Sequence, residues 1–247
     1  MKVSHGKSEA PSIEVQKEYY DSLWSTRGKG LLCMDDVARR DFVISAVKKV
    51  RARIGHELKI IDLGCGPGWL TEALSKYGEV VGMDLSVDAA RTFYPNLEFR
   101  AGDIITEQIG GHYDIVVSSE VVEHLTWEDQ VTYMKKVHQL LNGDGRLILT
   151  TPNKPNAEKN LKLSVFDPAY LQPIENWLSV KSLKALLNPY FKVEFLGSVL
   201  FYWLFMGRRR LHWGYLNFYQ RQSRLAERLL RLTRAGYYLV AVAKRRT

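Results

Sequence analysis

The sequence predicts an α/β fold built on a doubly wound, open sheet. Two observations carry this. Short apolar segments rich in β-branched residues alternate with segments of helical period along most of the chain. One such segment, residues 59–63, runs straight into Gly64-Cys65-Gly66-Pro67-Gly68-Trp69, a glycine-rich turn between a buried strand and a helix. Glycines permit positive φ and let a ligand approach the backbone closely. The free N–H groups that open the following helix favour electron-rich or anionic ligand groups. In an open α/β sheet, ligands bind outside the carboxyl ends of the strands, where this turn falls.

A dinucleotide site asks for G-x-G-x-x-G. Trp69 stands where the last of those glycines would be, which disfavours a nicotinamide-dependent dehydrogenase. With Asp62 two residues before Gly64, the string resembles motif I of the class I S-adenosylmethionine (SAM) methyltransferases, an acid followed by G-x-G-x-G. Acids at later strand ends extend the resemblance: Asp84 closes residues 79–84, and Asp103 falls near the end of residues 97–104. Residues 113–120, 145–151, 191–199 and 236–243 supply the remaining strands. The resemblance implies a seven-stranded sheet of the class I methyltransferase type with the last strand antiparallel. It covers residues 55–155 tightly. It further implies SAM as cofactor, bound by Asp62, Gly64, Cys65, Gly66 and Gly68 in the turn. Asp84 and Leu85 would serve the ribose, Asp103 and Ile104 the adenine, and Ser119 of the fourth strand would also bind the cofactor. A non-catalytic binding protein on a degenerate version of the fold would be expected to lack these acids.

Along the chain, residues 1–12 read as disordered. From Ile13 the period is helical, with Ile13, Gln16, Lys17 and Tyr20 on one face and a break at residues 25–30. Residues 34–53 read as a second helix. Residues 1–54 are therefore expected to form an N-terminal helical lid on a SAM-binding domain spanning residues 55–247. Tyr19, Tyr20 and Trp24 are candidates to cover SAM, Tyr20 foremost; packing of the helix onto the sheet explains the same aromatics. Residues 126–141 predict a helix with Val131, Met134, Val137 and Leu141 inward, stopped by Asn142-Gly143-Asp144-Gly145. Residues 153–176 carry prolines and no clear period, the pattern of a functional loop beside a substrate pocket. Residues 179–187 predict a short helix capped by Ser179.

Ser119-Glu120-Val121-Val122-Glu123-His124 follows the fourth strand. This E-x-x-E-H string places Glu120, Glu123 and His124 near the reacting methyl group, with His124 and Glu120 as candidate catalytic residues. It resembles the metal cluster of small-RNA 2′-O-methyltransferases and of ubiquinone-pathway O-methyltransferases, which implies a divalent ion on the two acids and the histidine, with a further histidine after the fifth strand. Here the histidine after His138 is His212, and Gln172 occupies the corresponding slot. Activity without a metal is expected; if a metal is held, its ligands are Glu120, Glu123 and His124. General base, polar wall of the substrate site and structural residue all remain open for His124.

Cys33 and Cys65 make no disulfide framework or metal spacing, and the polar N-terminus has no apolar signal core; a cytoplasmic location is expected. The charge is uneven. Residues 200–247 hold eleven Lys or Arg and one acid, so this tail carries +10 of a net +8 and the remainder −2. Residues 196–234 read as an insertion between the last two strands. It holds an apolar, aromatic run of 195–207, too short for the roughly 20 residues that span a bilayer, then Arg208, Arg209 and Arg210, then an amphipathic helix from Phe218. Aromatics beside arginines fit a small-molecule, glycan or lipid-linked acceptor and a peripheral contact with an anionic membrane. The same run would also serve as a sheet-edge cover or a homodimer interface. Nucleic acid is disfavoured because no RNA-binding module accompanies the charge, which leaves an RNA methyltransferase as a lesser alternative. Replacing Arg208, Arg209 and Arg210 by Gln is expected to leave SAM binding intact while raising the acceptor KM or releasing the protein from anionic vesicles. Wild-type acceptor kinetics together with wild-type vesicle binding would make the tail structural.

Overall fold

The computed structural model describes residues 10–28, 33–162, 171–200 and 231–246. The apolar run beyond Leu200, Arg208 to Arg210, most of the helix expected from Phe218 and residues 1–9 lie outside the described residues.

Seven strands form one sheet in the order β3-β2-β1-β4-β5-β7-β6. They are β1 (Leu58–Leu63), β2 (Gly78–Asp84), β3 (Glu98–Ala101), β4 (Tyr113–Ser119), β5 (Leu141–Pro152), β6 (Phe191–Val199) and β7 (Tyr238–Arg245). The strand β7 pairs antiparallel with both β5 and β6, and every other pairing is parallel. The fold class, including the antiparallel last strand, is the one expected. Strand order reverses between β1 and β4, so the crevice at their carboxyl ends is the ligand-binding position of such a sheet.

Residues along the central strands alternate between two cores, as the period of two requires. Ile60, Ile115, Val117 and Ile148 face Phe42, Val43, Val47 and Val50 of α2 (Met34–Ile54) and Leu70 and Leu74 of α3 (Trp69–Ser75). Ile61, Val81, Val116 and Leu147 face Tyr133, Met134 and Val137 of α5 (Trp127–Leu140) and Leu183 and Leu187 of α7 (Val180–Leu187). Of the two N-terminal helices, α2 is thus part of the core, while α1 (Ile13–Arg27) lies across the glycine turn. The short α4 (Asp88–Phe93) follows β2. Among the described residues no helix is long and apolar enough to cross a membrane.

Three local expectations are corrected. The segment after β5 is not all loop, because Lys154–Lys162 forms α6. Its start is fixed by the Asn153 carbonyl, which accepts from the amides of Asn156 and Ala157, and Pro155 falls in the first turn where a missing N–H costs nothing. Only Ala157 and Asn160 of α6 are buried, so it leaves almost no apolar period. The helix before residues 142–145 does stop, at Leu140, but these residues are not a separate turn. They bulge from β5, whose register with β4 jumps from Tyr113↔Leu141 to Ile115↔Arg146. Asn142 Nδ2 donates to Asp114 Oδ1 at 2.9 Å, while Asp114 Oδ2 accepts the Lys59 amide of β1 at 2.9 Å. Finally, the buried stripe of α5 is Gln130, Tyr133, Met134, Val137 and Leu140, and Val131 is 50% exposed. The aromatic ring of Tyr133, whose hydroxyl donates to Ser118 Oγ at 2.9 Å, sets that rotation.

Gly78 pairs with Leu58 in the β1–β2 ladder. A Cβ there would stand 2.1 Å from the Leu58 carbonyl oxygen, a backbone atom that no rotamer change can move. Gly78→Ala is expected to destabilise the fold by about 3 kcal/mol or more, read from its urea midpoint. A wild-type midpoint would refute this packing.

Candidate active site

The turn after β1 is shaped by three left-handed glycines, Gly64 (φ 72°), Gly66 (φ 52°) and Gly68 (φ 85°). Two amides, of Gly64 and Cys65, donate to the Met83 carbonyl at 2.7 and 3.1 Å. That pins the turn to the carboxyl end of β2. The next residue of β2, Asp84, accepts the Gly66 amide on Oδ2 at 2.8 Å and the Ser86 amide on Oδ1 at 3.0 Å. Side chains at these glycines would not fit: a Cβ on Gly64 would lie 2.3 Å from Val121 Cγ2, and one on Gly66 would lie 3.0 Å from Trp24 Cζ2. The turn is therefore a backbone cradle with Trp24 of α1 above it.

The expected cofactor residues fall into two groups. Gly64, Gly66, Gly68, Asp84 and half-buried Leu85 form the cradle and its edge. Burial raises the Asp84 carboxyl to about 6 against the relief its amide partners supply. Each of its oxygens accepts one amide, and an ionised carboxylate has roughly four lone-pair positions, so capacity for two hydroxyl donors remains. Asp103 is brought to the same end of the sheet, since the Gly102 amide donates to the Asp84 carbonyl at 3.0 Å. Its Oδ1 accepts the Ile105 amide and its Oδ2 the Thr106 hydroxyl, both at 2.8 Å. Other candidates point into the protein. Asp62 is 1% exposed and accepts the Thr71 hydroxyl of α3 at 2.7 Å; burial lifts it to about 7. Cys65 packs with Val87, Ala90 and Phe99, and burial pushes its thiol up. Ile104 is buried with the α5 core. The hydroxyls of Ser119 and Thr150 share a hydrogen bond of 3.0 Å.

Beside the cradle lies the E-x-x-E-H turn. Glu120 takes a left-handed conformation (φ 59°), unusual for a side chain of its size. Its amide donates to the Thr150 carbonyl at 3.1 Å, and its Oε1 accepts the Thr150 hydroxyl at 2.9 Å. Its Oε2 lies 3.4 Å from Arg39 Nη1. Arg39 also pairs with Asp36 and stacks over the Tyr238 ring at 4.9 Å. Burial raises the Glu120 carboxyl, the neighbouring Glu123 charge adds to this, and Arg39 opposes both. Glu123 is fully buried, and its Oε2 accepts the Thr151 hydroxyl at 2.9 Å. Among the described residues its Oε1 has no hydrogen-bond partner, and it stands 3.7 Å from His124 Nε2. Burial also raises Glu123, reinforced by Glu175.

His124 is held by Nδ1, 2.9 Å from the Ile174 carbonyl oxygen. A carbonyl only accepts, so Nδ1 carries the proton and the neutral ring keeps its lone pair on Nε2. Burial lowers the histidine, against the pull of Glu175. Among the described residues no group of three or more His, Cys, Asp or Glu side chains is gathered to hold a metal ion. Glu120 turns toward Arg39 and Thr150, while Glu123 bonds Thr151 through Oε2 and faces His124 Nε2 through Oε1.

Tyr20 lies parallel to Trp24, with ring centroids 6.2 Å apart, and its hydroxyl bonds Gln172 Oε1 at 2.8 Å. The slot that the resemblance would fill with a histidine ligand therefore joins α1 instead. Sequence reasoning missed Arg39, Thr150, Thr151 and Glu175 as members of this site. Arg39 had one signal, a cation set among the inward-facing positions of α2 with Asp35 and Asp36 four and three residues before it. Glu175 had none, because its partners arrive from other elements.

The family described as methyltransferase domain matches residues 37–231 of this chain. The mitochondrial ubiquinone biosynthesis O-methyltransferase of Homo sapiens is 31% identical over 150 residues, which cover 53% of this chain and 40% of that protein. The ubiquinone biosynthesis O-methyltransferase of Ruegeria pomeroyi is 34% identical over 106 residues, 39% of this chain and 42% of that protein. The matched region thus spans less than half the length of these relatives. Among solved structures, the magnesium protoporphyrin IX methyltransferase of Synechocystis PCC 6803 with bound S-adenosylhomocysteine has a TM-score of 0.64 at 19% identity, covering 95% of this chain and 100% of that one. The 1,6-didemethyltoxoflavin-N1-methyltransferase of Burkholderia thailandensis has a TM-score of 0.60 at 15% identity, covering 100% and 99%. At these identities the likeness is one of fold.

A nucleoside in the cradle would lean on ionised Asp84. Losing a charge-assisted hydrogen bond costs roughly 1.5–3 kcal/mol, so Asp84→Ala is expected to weaken S-adenosylhomocysteine by about tenfold to a hundredfold. In the wild type, affinity should hold above the Asp84 value of about 6 and fall as pH drops through it, because the protonated carboxyl loses acceptor capacity. Calorimetric titration from pH 5 to 8 checks both. Unchanged affinity in folded Asp84→Ala would refute the assignment.

Proposed function

This chain belongs to the class I, SAM-dependent methyltransferases, and from that premise we propose that it methylates a hydroxyl of a small-molecule, sugar or lipid-linked acceptor, with His124 Nε2 receiving the hydroxyl proton. The observation that carries the reading is the tautomer of His124, held by the Ile174 carbonyl. A neutral, buried imidazole with its lone pair on Nε2 is a general base ready for use at neutral pH.

The cradle fits the cofactor. Asp84 keeps acceptor capacity at the end of β2, beside the glycine turn, and Trp24 of α1 lies over that turn. SAM, when bound, supplies a methyl group on a sulfonium, a good leaving group. What the protein must add is placement of the acceptor and removal of its proton. His124 takes the proton on Nε2 while its Nδ1–H stays on Ile174. The imidazolium so formed lies 3.7 Å from Glu123 Oε1 and within the field of Glu175, two carboxyl groups suited to stabilise it. Glu120, already engaged by Arg39 and Thr150, serves as the rigid corner between β4 and this turn. The human and Ruegeria relatives are O-methyltransferases, which supports a hydroxyl acceptor over an amine.

A panel of phenolic, sugar and lipid-linked hydroxyl acceptors with radiolabelled SAM tests the reading. His124→Gln is expected to lower kcat by about 10²-fold or more, the usual contribution of a positioned base, with S-adenosylhomocysteine affinity retained. Transfer confined to amine acceptors, or wild-type kcat in the variant, would sink it.

A further inference from the structure

The cradle and the E-x-x-E-H turn are joined by one continuous path of contacts. Trp24 covers Gly66 and Tyr20 lies parallel to Trp24. The Tyr20 hydroxyl bonds Gln172 Oε1 at 2.8 Å. From Gln172 onward the backbone frames the turn. The Gln172 amide donates to Glu175 Oε1 at 3.1 Å, the Ile174 carbonyl accepts from His124 Nδ1, and the Asn176 amide donates to the Glu123 carbonyl at 2.7 Å. Asn176 Nδ2 adds a bond to the Leu125 carbonyl at 2.8 Å. The groups that orient His124 and Glu123 thus sit on five consecutive residues, and helix α1 reaches the first of them through one hydroxyl.

We propose that Tyr20 and Gln172 are positioning residues that couple filling of the cradle beneath α1 to the setting of His124 and Glu123 for the acceptor. The proposal rests on the cofactor reading above. A ligand enclosed by Tyr20 and Trp24 restricts α1. The Tyr20–Gln172 bond passes that restriction to a segment too short to absorb it, and ordering at one site then lowers the cost of ordering at the other. Such coupling is reciprocal, so an acceptor held at His124 would in turn tighten the cofactor.

Backbone amide hydrogen exchange on the full chain, with and without S-adenosylhomocysteine, tests this with no acceptor needed. In the wild type, S-adenosylhomocysteine is expected to slow exchange at residues 64–68 and, by about fivefold or more, at Asn176, the lower end of measured coupling between linked sites. Gln172→Ala should keep the first effect and lose the second. Tyr20→Phe, which leaves the ring on Trp24 and removes only the hydroxyl, should do the same. A purely structural contact would speed exchange at Asn176 equally in both states and leave their ratio untouched. Protection at Asn176 that persists in both variants, or that is missing from the wild type while residues 64–68 are protected, overturns the coupling alone. No protection at residues 64–68 overturns the cofactor reading and the coupling with it.

Discussion

The capture of the glycine turn by the end of β2 is the constraint on which the rest depends. Met83 offers its carbonyl to two successive amides and Asp84 offers its carboxylate to a third. One backbone bond closes within the bend, from the Gly68 amide to the Cys65 carbonyl at 3.0 Å; leaving the other amides buried without partners would be costly. The adjacent parallel strand supplies the acceptors. Because β1 and β2 pair in register from Leu58↔Gly78 to Leu63↔Met83, the turn is delivered to the carboxyl edge of the sheet, next to the β1–β4 crevice. The glycines follow from this geometry rather than from any ligand. Val121 packs against Gly64 and Trp24 against Gly66, and either contact would exclude a methyl group.

A second constraint is the burial of charge next to that crevice. Glu120 and Glu123 stand where desolvation opposes ionisation. An unpaired buried carboxylate would be strongly destabilising, and the fold answers with Arg39 and two threonine hydroxyls. Arg39 comes from α2, the helix that also builds one core, so core packing places the compensating charge. The left-handed backbone at Glu120 is held by the hydrogen bonds of its own amide and carboxylate to Thr150. A locally unfavourable conformation is thereby maintained by contacts from a neighbouring strand. Among the described residues no group bonds Glu123 Oε1, next to His124 Nε2, and there this compensation is incomplete.

Much of this was legible in the sequence because it depends on short-range pattern. Residues 59–70 announce strand, turn and helix by composition alone, and the acids Asp84 and Asp103 mark the ends of the next two strands by their place after apolar runs. Parallel strands buried on both faces are nearly continuous apolar segments, which is why the strands could be located from residue types. Helices that carry a weak stripe were less visible. α6 buries little beyond Ala157 and Asn160, and the bulge at residues 142–145 reads as a plain turn until β4 is laid beside it.

The sequence by itself determined the sheet, the glycine cradle and the identity of the residues in the E-x-x-E-H turn. Only the tertiary structure decided how those residues face. Asp62 turns inward to Thr71, Asp84 turns to Gly66, Glu120 is claimed by Arg39, and His124 is fixed as the Nδ1–H tautomer by a carbonyl fifty residues away. The physical reason is that strand and turn formation rest on neighbours in the chain, whose spacing is written in the sequence. The direction and protonation of a buried polar side chain rest on the partners that other elements bring within 3 to 4 Å of it. Those partners arrive only when α2, β5 and the segment before α7 have packed around the sheet.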